Sequence, residues 1–141
     1  MSVANILKSK RPAVLWAPPA LSIREAAERL RAADVGVLIV SNDGETLQGL
    51  ISERDVAHGL AVHGPALLSM KVSDLMTRSV ITCAPEDSVA DIARIMTMRR
   101  IRHIPVMNGG KVVSIGDVLK SRISEIELEA NVLRDLATAR R

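Results

Sequence analysis

Apolar residues recur at helical spacing in two regions of the chain, at about residues 22–33 and 88–99. These apolar positions are Ala26, Ala27 and Leu30 in the first region, and Val89, Ile92, Ala93 and Met96 in the second. Because such spacing places them on one face, we predict two amphipathic helices that pack on a core.

Strand patterns flank both predicted helices. An extended stretch that is ended by proline precedes each helix, at Val14–Trp16 and at Val80–Cys83. A β-rich run follows each helix, at Val35–Val40 and at Ile101–Val106. A turn comes next, SNDGE in one half and NGGK in the other, and a further strand leads to Ser52 or Ser114. A second helix is predicted to begin at each serine, so the order is β-α-β-β-α, twice.

The two halves of the chain match each other position by position. Corresponding pairs are Val3 and Val72 at an offset of 69, Val14 and Val80 at 66, and Ser52 and Ser114 at 62. The second half has therefore lost four residues in its hairpin. This self-similarity indicates a duplicated unit.

Length and composition indicate two small units that share a core. The chain has 141 residues, 48% of them hydrophobic, and Trp16 is its only aromatic residue. The core must therefore be aliphatic. Each unit alone is near the size at which one core barely offsets chain entropy. We therefore expect the units to pack face to face with pseudo-twofold symmetry, which would create two related clefts.

The net charge of +3 includes local basic clusters, namely Arg99, Arg100 and Arg102 with His103, and Arg140 with Arg141. Solvated helix ends account for such clusters, and a phosphate-bearing partner is the alternative. The sequence offers no aromatic platform for stacking bases and no recognisable reading helix. It therefore argues against nucleic acid as the main partner.

Motifs for catalysis or metal binding are not recognisable in the sequence. Cys83 is the only cysteine, and His58 and His63 have no acid placed to complete a metal site. No secretory segment opens the chain, and no apolar run approaches the ~18 residues of a membrane span. We therefore expect a cytoplasmic protein that is not an enzyme and requires no metal or cofactor.

Each of the four predicted core helices starts with a serine followed three residues later by an acid. The pairs are Ser22 and Glu25, Ser52 and Asp55, Ser88 and Asp91, and Ser114 and Asp117. A helix capping box accounts for this pattern. The second and fourth pairs, however, directly follow a strand, where α/β sheets bind ligands and helix amides attract anions. A carboxylate there would accept both hydroxyls of a ribose.

The doubled unit resembles the CBS domain, two of which form the Bateman module. The resemblance covers roughly residues 2–122 and rests on DLMT before the second copy, RIRHIPV on its strand and SIGDV at its last helix. It implies an α/β (α+β) fold of two repeats packed sheet to sheet, with a short N-terminal helix and an extended C-terminal helix. The implied units are residues 1–66, 67–122 and a helical extension at 123–141.

The same resemblance implies clefts that bind an adenine nucleotide or a relative, such as AMP, ADP, ATP, NAD or S-adenosylmethionine. The second copy matches the family's site best. Asp117, beside Ser114, would hold the ribose, Arg102 and His103 would face phosphate, and Thr82 would assist from the first strand. Since side chains alternate along a strand, only one of the basic pair would face this site, and the other would face the partner site or solvent.

The first copy departs from this pattern. Ser52 and Asp55 are present, but Trp16 stands in place of the threonine, and Gly36 and Val37 stand in place of the basic pair. Positive charge would then come from Arg54, Arg99 or Arg100. Trp16 would either stack on a base or fill a buried gap. In the second copy, the shortened hairpin would alter the base pocket.

The tail from residue 119 predicts a helix with an apolar seam. The seam residues are Leu119, Ile123, Ile126, Ala130, Leu133 and Ala137. They would pack on the same domain or on a second chain. Because Bateman modules commonly pair, the resemblance favours a homodimer.

We interpret the chain as a stand-alone regulatory module. An adenine nucleotide would bind between the repeats and change how the dimer meets an effector protein in trans. The alternative is a structural dimerisation or protein-interaction module with non-binding pockets. Weak nucleic-acid binding through the basic clusters is a third option and would show steep salt dependence.

Overall fold

The computed structural model describes residues 2–9, 14–115 and 131–137. The helices and strands, in chain order, are α1 Val3–Ser9, β1 Trp16–Ala17, α2 Ile23–Ala33, β2 Val37–Val40, β3 Gly49–Ser52, α3 Glu53–His63, α4 Val72–Leu75, α5 Val89–Arg99, β4 Val106–Asn108 and β5 Lys111–Ser114, followed by α6 at 131–137. A 3₁₀ helix, Gly64–Ser69, lies between α3 and α4. The helix predicted to begin at Ser114, and most of the tail seam, lie outside the described residues.

Each repeat forms its own small sheet. Strand β1 is parallel to β2, which is antiparallel to β3, and β4 is antiparallel to β5. Ala17 pairs with Val40 in the first repeat, and Cys83 forms a parallel bridge with Val106 in the second. These two pairs are related by the same offset of 66 residues that relates the sequences. The duplication is therefore visible in the backbone pairing.

The predicted strand Ile101–Val106 is wrong at its start, because regular pairing begins only at Val106. In the first repeat, the amide of Ile39 donates to the carbonyl of Leu15 at 3.0 Å. The corresponding residue of the second repeat is Pro105, which has no N–H to donate. The segment before it is consequently irregular.

Helices α2 and α5 have the same boundaries relative to their repeats. Ser22 and Ser88 cap them by accepting from the amides of Glu25 and Asp91, at 3.1 and 3.2 Å. Both helices end in a left-handed residue, Asp34 with φ 53° and Arg100 with φ 52°. The helices predicted at 22–33 and 88–99 are therefore confirmed.

The two sheets face each other across an apolar seam. Its buried residues are Val37, Ile39, Leu50, Val112 and Ile115, with Val14, Leu47, Val80 and Met107 packed at their edges. Val14 and Val80 are corresponding residues of the two repeats, and so are Leu50 and Val112. The seam therefore has the predicted face-to-face arrangement.

The segments that precede the two repeats are exchanged between them. Helix α1 precedes the first repeat but packs on the second, where the amide of Val3 donates to the carbonyl of Asp87 at 2.9 Å. Helix α4 precedes the second repeat but packs on the first, where the amide of Val72 donates to the carbonyl of Leu21 at 2.8 Å. Each core thus includes a helix that chain order assigns to the other repeat.

Glycine at the left-handed position of α5 is expected to stabilise the fold. A left-handed conformation costs an L-residue about 1–2 kcal/mol, and glycine would remove this cost. The greater freedom of glycine in the unfolded chain offsets about 0.5–1 kcal/mol of that stabilisation. We therefore expect Arg100→Gly to raise the free energy of unfolding by roughly 0.5–1 kcal/mol in urea titrations. Asp34→Gly should gain less, because aspartate tolerates this conformation better. A lower stability of Arg100→Gly would contradict the prediction.

Candidate functional site

A cleft of about 740 Å³ opens between the two repeats. Its polar lining residues are Ser52, Glu53, Arg54 and Asp55 from the first repeat, and Thr77, Ser79, Arg100, Arg102 and His103 from the second half of the chain. Its apolar lining residues are Val37, Leu50, Ala57, Val80, Ile81 and Ile101. The volume lies within the range of small-molecule sites, and the lining combines apolar surface with many polar and charged groups.

The acidic side of the cleft is the junction between β3 and α3. The amide and the hydroxyl of Ser52 donate to Oδ2 of Asp55 at 2.9 and 3.1 Å, and the amide of Asp55 donates to the Ser52 hydroxyl at 3.2 Å. Ser52 and Asp55 therefore form the capping box that the sequence predicts.

The second oxygen of the Asp55 carboxylate is not used by the cap. Oδ1 lies 3.5 Å from the hydroxyl of Thr77, at the long limit for a hydrogen bond. Both residues line the cleft. The carboxylate thus caps its helix with one oxygen and retains accepting capacity on the other.

Helix α4 provides a comparison away from the cleft. The amide of Lys71 donates to Oδ2 of Asp74 at 3.0 Å, which reproduces the bond between the Ser52 amide and Asp55. Asp74 does not line the cleft. This capping bond shows that such a cap requires no neighbouring cavity.

The basic side of the cleft comes from the second repeat. Arg102 and His103 both line it, although strand alternation predicted that only one would face a given site. The alternation fails here because the segment before Val106 is not a regular strand. The sequence grouped this pair with Asp117, whereas the structure brings it to Ser52 and Asp55, and Asp117 lies outside the described residues.

Gly36 lies in van der Waals reach of side chains from both repeats. A Cβ at this position would lie 3.5 Å from Nε2 of His103 and 3.8 Å from Oε2 of Glu53. The imidazole of one repeat and a carboxylate of the other therefore both lie against Gly36. A larger residue there would compete with them for space.

Thr82 and Ser114 are described by the structure but do not line this cleft. Thr82 is exposed beside the bridge at Cys83. Ser114 is buried, and its hydroxyl has no hydrogen-bond partner in the described part of the chain. Its proposed neighbour, Asp117, is not among the described residues.

Trp16 does not fill a buried gap, because it is 38% exposed. Its indole lies on the SNDGE turn, where a Cβ at Gly44 would be 2.7 Å from Nε1. The first repeat carries its only aromatic side chain on this turn and not on the lining of the cleft.

Sequence reasoning gave no role to Thr77, Ser79 or Glu53. Thr77 ends the DLMT motif, and it pairs with Leu50 by two backbone hydrogen bonds of 2.8 and 3.0 Å. This pairing brings the connection between the repeats alongside β3 and into the cleft. The sequence carries no periodic signal for such an isolated bridge.

The family model for the CBS domain matches residues 3–62 and 72–124. The chain belongs to the CBS domain family. It is 36% identical over 135 residues to the mitochondrial CBS domain-containing protein CBSX3 of Arabidopsis thaliana, covering 88% of this chain and 66% of that protein. The chain thus spans just under two thirds of this relative.

Solved CBS structures have the same fold. The CBS-domain protein ATU1752 of Agrobacterium tumefaciens is 34% identical, with a TM-score of 0.79, and the match covers 86% of this chain and 99% of that one. The CBS pair of MJ0100, in complex with 5′-methylthioadenosine and S-adenosylmethionine, is 28% identical with a TM-score of 0.74, covering 90% and 98%. The protein PAE2072 of Pyrobaculum aerophilum, complexed with AMP, is 27% identical with a TM-score of 0.69, covering 82% and 86%.

The described ranges contain neither a membrane-spanning helix nor a metal-binding cluster. None of the helices there is both long and apolar enough to cross a bilayer. No three His, Cys, Asp or Glu side chains of these residues are grouped to hold a metal ion. The predicted cytoplasmic location stays a prediction, and the Arabidopsis relative is named as mitochondrial.

Cys83 is buried in the core of the second repeat. Burial, with a smaller contribution from the charge of Asp87, raises the pKa of its thiol to about 12. Because the thiolate is the reactive form, we expect native protein at pH 8 to react with iodoacetamide on the order of tenfold or more slowly than urea-unfolded protein. Mass spectrometry of quenched samples measures both rates, and equal rates would contradict the buried placement.

The same shift in the pKa of Cys83 affects stability at high pH. Its folded-state pKa lies above the ordinary value of about 8.5, so the stabilising contribution of the neutral thiol is complete below that pH. It is lost progressively as the pH rises towards 12.

Proposed function

We propose that the protein is a regulatory module that binds an adenine nucleotide in the cleft between its two CBS repeats. The supporting observation is the Asp55 carboxylate, which retains one oxygen beside an open cleft with basic residues on the opposite side. The AMP complex of PAE2072 and the adenosine-type ligands of MJ0100 support adenine as the common part of the ligand.

The lining residues divide into three roles in this proposal. Oδ1 of Asp55 accepts a ribose hydroxyl, a charge-assisted hydrogen bond with a net value of about 1.5–3 kcal/mol. Arg102 and Arg54 pair with phosphate oxygens. The apolar surface of Val80 and Ile81 packs against the adenine ring.

The second cleft is part of the proposal on the basis of sequence. Thr82, Ser114 and Asp117 would form it. The buried hydroxyl of Ser114, which has no hydrogen-bond partner among the described residues, is consistent with a polar neighbour that is supplied by Asp117 or by a ligand.

Signalling follows from the position of the cleft. Its lining includes residues of both repeats, so a ligand that contacts both favours one relative packing over another. A homodimer and an effector protein in trans would transmit this change. No catalytic step is part of the proposal.

Replacement of the ribose-binding carboxylate tests the proposal. We expect wild-type protein to bind AMP, ATP or NAD in calorimetric titrations, and Asp55→Asn to weaken binding by about 10- to 100-fold, the equivalent of one charge-assisted hydrogen bond. Asp74→Asn is the matched control, because it loses the same type of capping bond outside the cleft. It should lose comparable stability and keep its affinity.

Two results would contradict the proposal as stated. Absence of binding to the whole nucleotide panel at millimolar concentration would favour the structural dimerisation module. Binding that survives Asp55→Asn but is lost in Asp117→Asn would place the nucleotide in the second cleft.

A further inference from the structure

Within the part of the chain that the structure describes, the arginines of the cleft form no ion pair with an acidic side chain. Some basic side chains outside the cleft form ion pairs with carboxylates, at 3.3–3.5 Å: Arg24 with Glu28, Arg94 with Asp91, and Lys111 with Glu45. Within residues 2–9, 14–115 and 131–137, Arg54, Arg100 and Arg102 form no such pair. Three guanidinium groups from two repeats therefore line one cleft without compensating carboxylates at contact distance.

Among the described residues, the two carboxylates that line the cleft form no ion pair with these arginines. Asp55 accepts three hydrogen bonds, from the amide and hydroxyl of Ser52 and from Thr77. Glu53 lies with His103 against Gly36. The guanidinium groups consequently remain available to an anion that enters from solvent.

The counterpart positions in the other repeat carry no positive charge. Arg100 and Arg102 correspond to Asp34 and Gly36 at the offset of 66, and Arg54 corresponds to Gly116 at the offset of 62. The two halves of the sequence therefore differ in charge at these corresponding positions. A multiply charged anion would distinguish between the two repeats.

The backbone of Arg100 adds an independent observation. This residue is left-handed at the end of α5, with its amide donating to the carbonyls of Met96 and Thr97. Helices usually place glycine in this conformation, because any Cβ is strained there. Aspartate, as at position 34, tolerates it, whereas an arginine that retains the strain and lines a ligand cleft indicates a role for its side chain.

We infer that the cleft with Asp55 takes a ligand with a chain of two or more phosphates, and that one such ligand binds per chain. The adenine part of this ligand rests on the proposed function, whereas the phosphate part rests on the three arginines. A single phosphate pairs with one or two guanidinium groups, so three of them fit a longer anion. A sulfonium ligand would instead add a cation beside them.

Calorimetric titration without divalent cations, at fixed ionic strength, tests the ligand class. The ligands are ATP, ADP, AMP, S-adenosylmethionine and inorganic tripolyphosphate. We expect ATP to bind about tenfold or more tightly than AMP, with S-adenosylmethionine weaker than both. The stoichiometry should be one ATP per chain, and tripolyphosphate should displace ATP by competition.

Single substitutions test which arginines are responsible. Arg100→Gln and Arg102→Gln should each weaken ATP binding by about tenfold and AMP binding by less. Arg99→Gln is the matched control, since Arg99 is an exposed neighbour that does not line the cleft. Thermal unfolding of each variant establishes that it is folded before it is titrated.

The outcomes separate this inference from the proposed function. Equal affinity for AMP and ATP, two ATP molecules per chain, or an equal effect of Arg99→Gln would overturn the inference and leave adenine binding intact. Binding of tripolyphosphate without any adenine ligand would support the inference and overturn the adenine assignment. Absence of all binding would overturn both.

Discussion

Burial of the apolar seam between the two sheets is the interaction on which the rest of the structure depends. A two-stranded sheet such as that of the second repeat is marginally stable at best alone in water, so it requires an apolar face to pack on. The cleft lies beside this seam and shares three of its residues, Val37, Leu50 and Val80. The contact that stabilises the fold therefore also sets the distance between the acidic junction of one repeat and the basic segment of the other.

Asp55 shows that a structural role and a binding role can coexist in one side chain. A helix cap contributes about 1 kcal/mol and occupies a single carboxylate oxygen here. Because the carboxylate has two oxygens with several lone pairs, ligand binding need not break the cap. The cap also fixes the rotamer, so that little side-chain entropy is lost when a ligand arrives.

The sequence predicts the local features well and the meeting of distant segments poorly. The periodicity of α2 and α5, their serine caps and the offset of 66 are properties of short stretches, and the backbone pairing at Ala17 and Cys83 agrees with them. The position of Arg102 and His103 in the same cleft as Asp55 depends on how one sheet packs on the other. It also depends on the loss of regular strand pairing at Pro105. Neither the seam geometry nor the bridge at Thr77 has a periodic signal.

The exchange of α1 and α4 has a consequence for synthesis on the ribosome. The core of the first repeat remains open until Val72 has emerged, although every strand of that repeat is already outside the exit tunnel. Helix α1 emerges first, yet its docking surface at Asp87 and α5 emerges much later. The two halves consequently mature together, and either half expressed alone would expose the groove that the other half's leading helix covers.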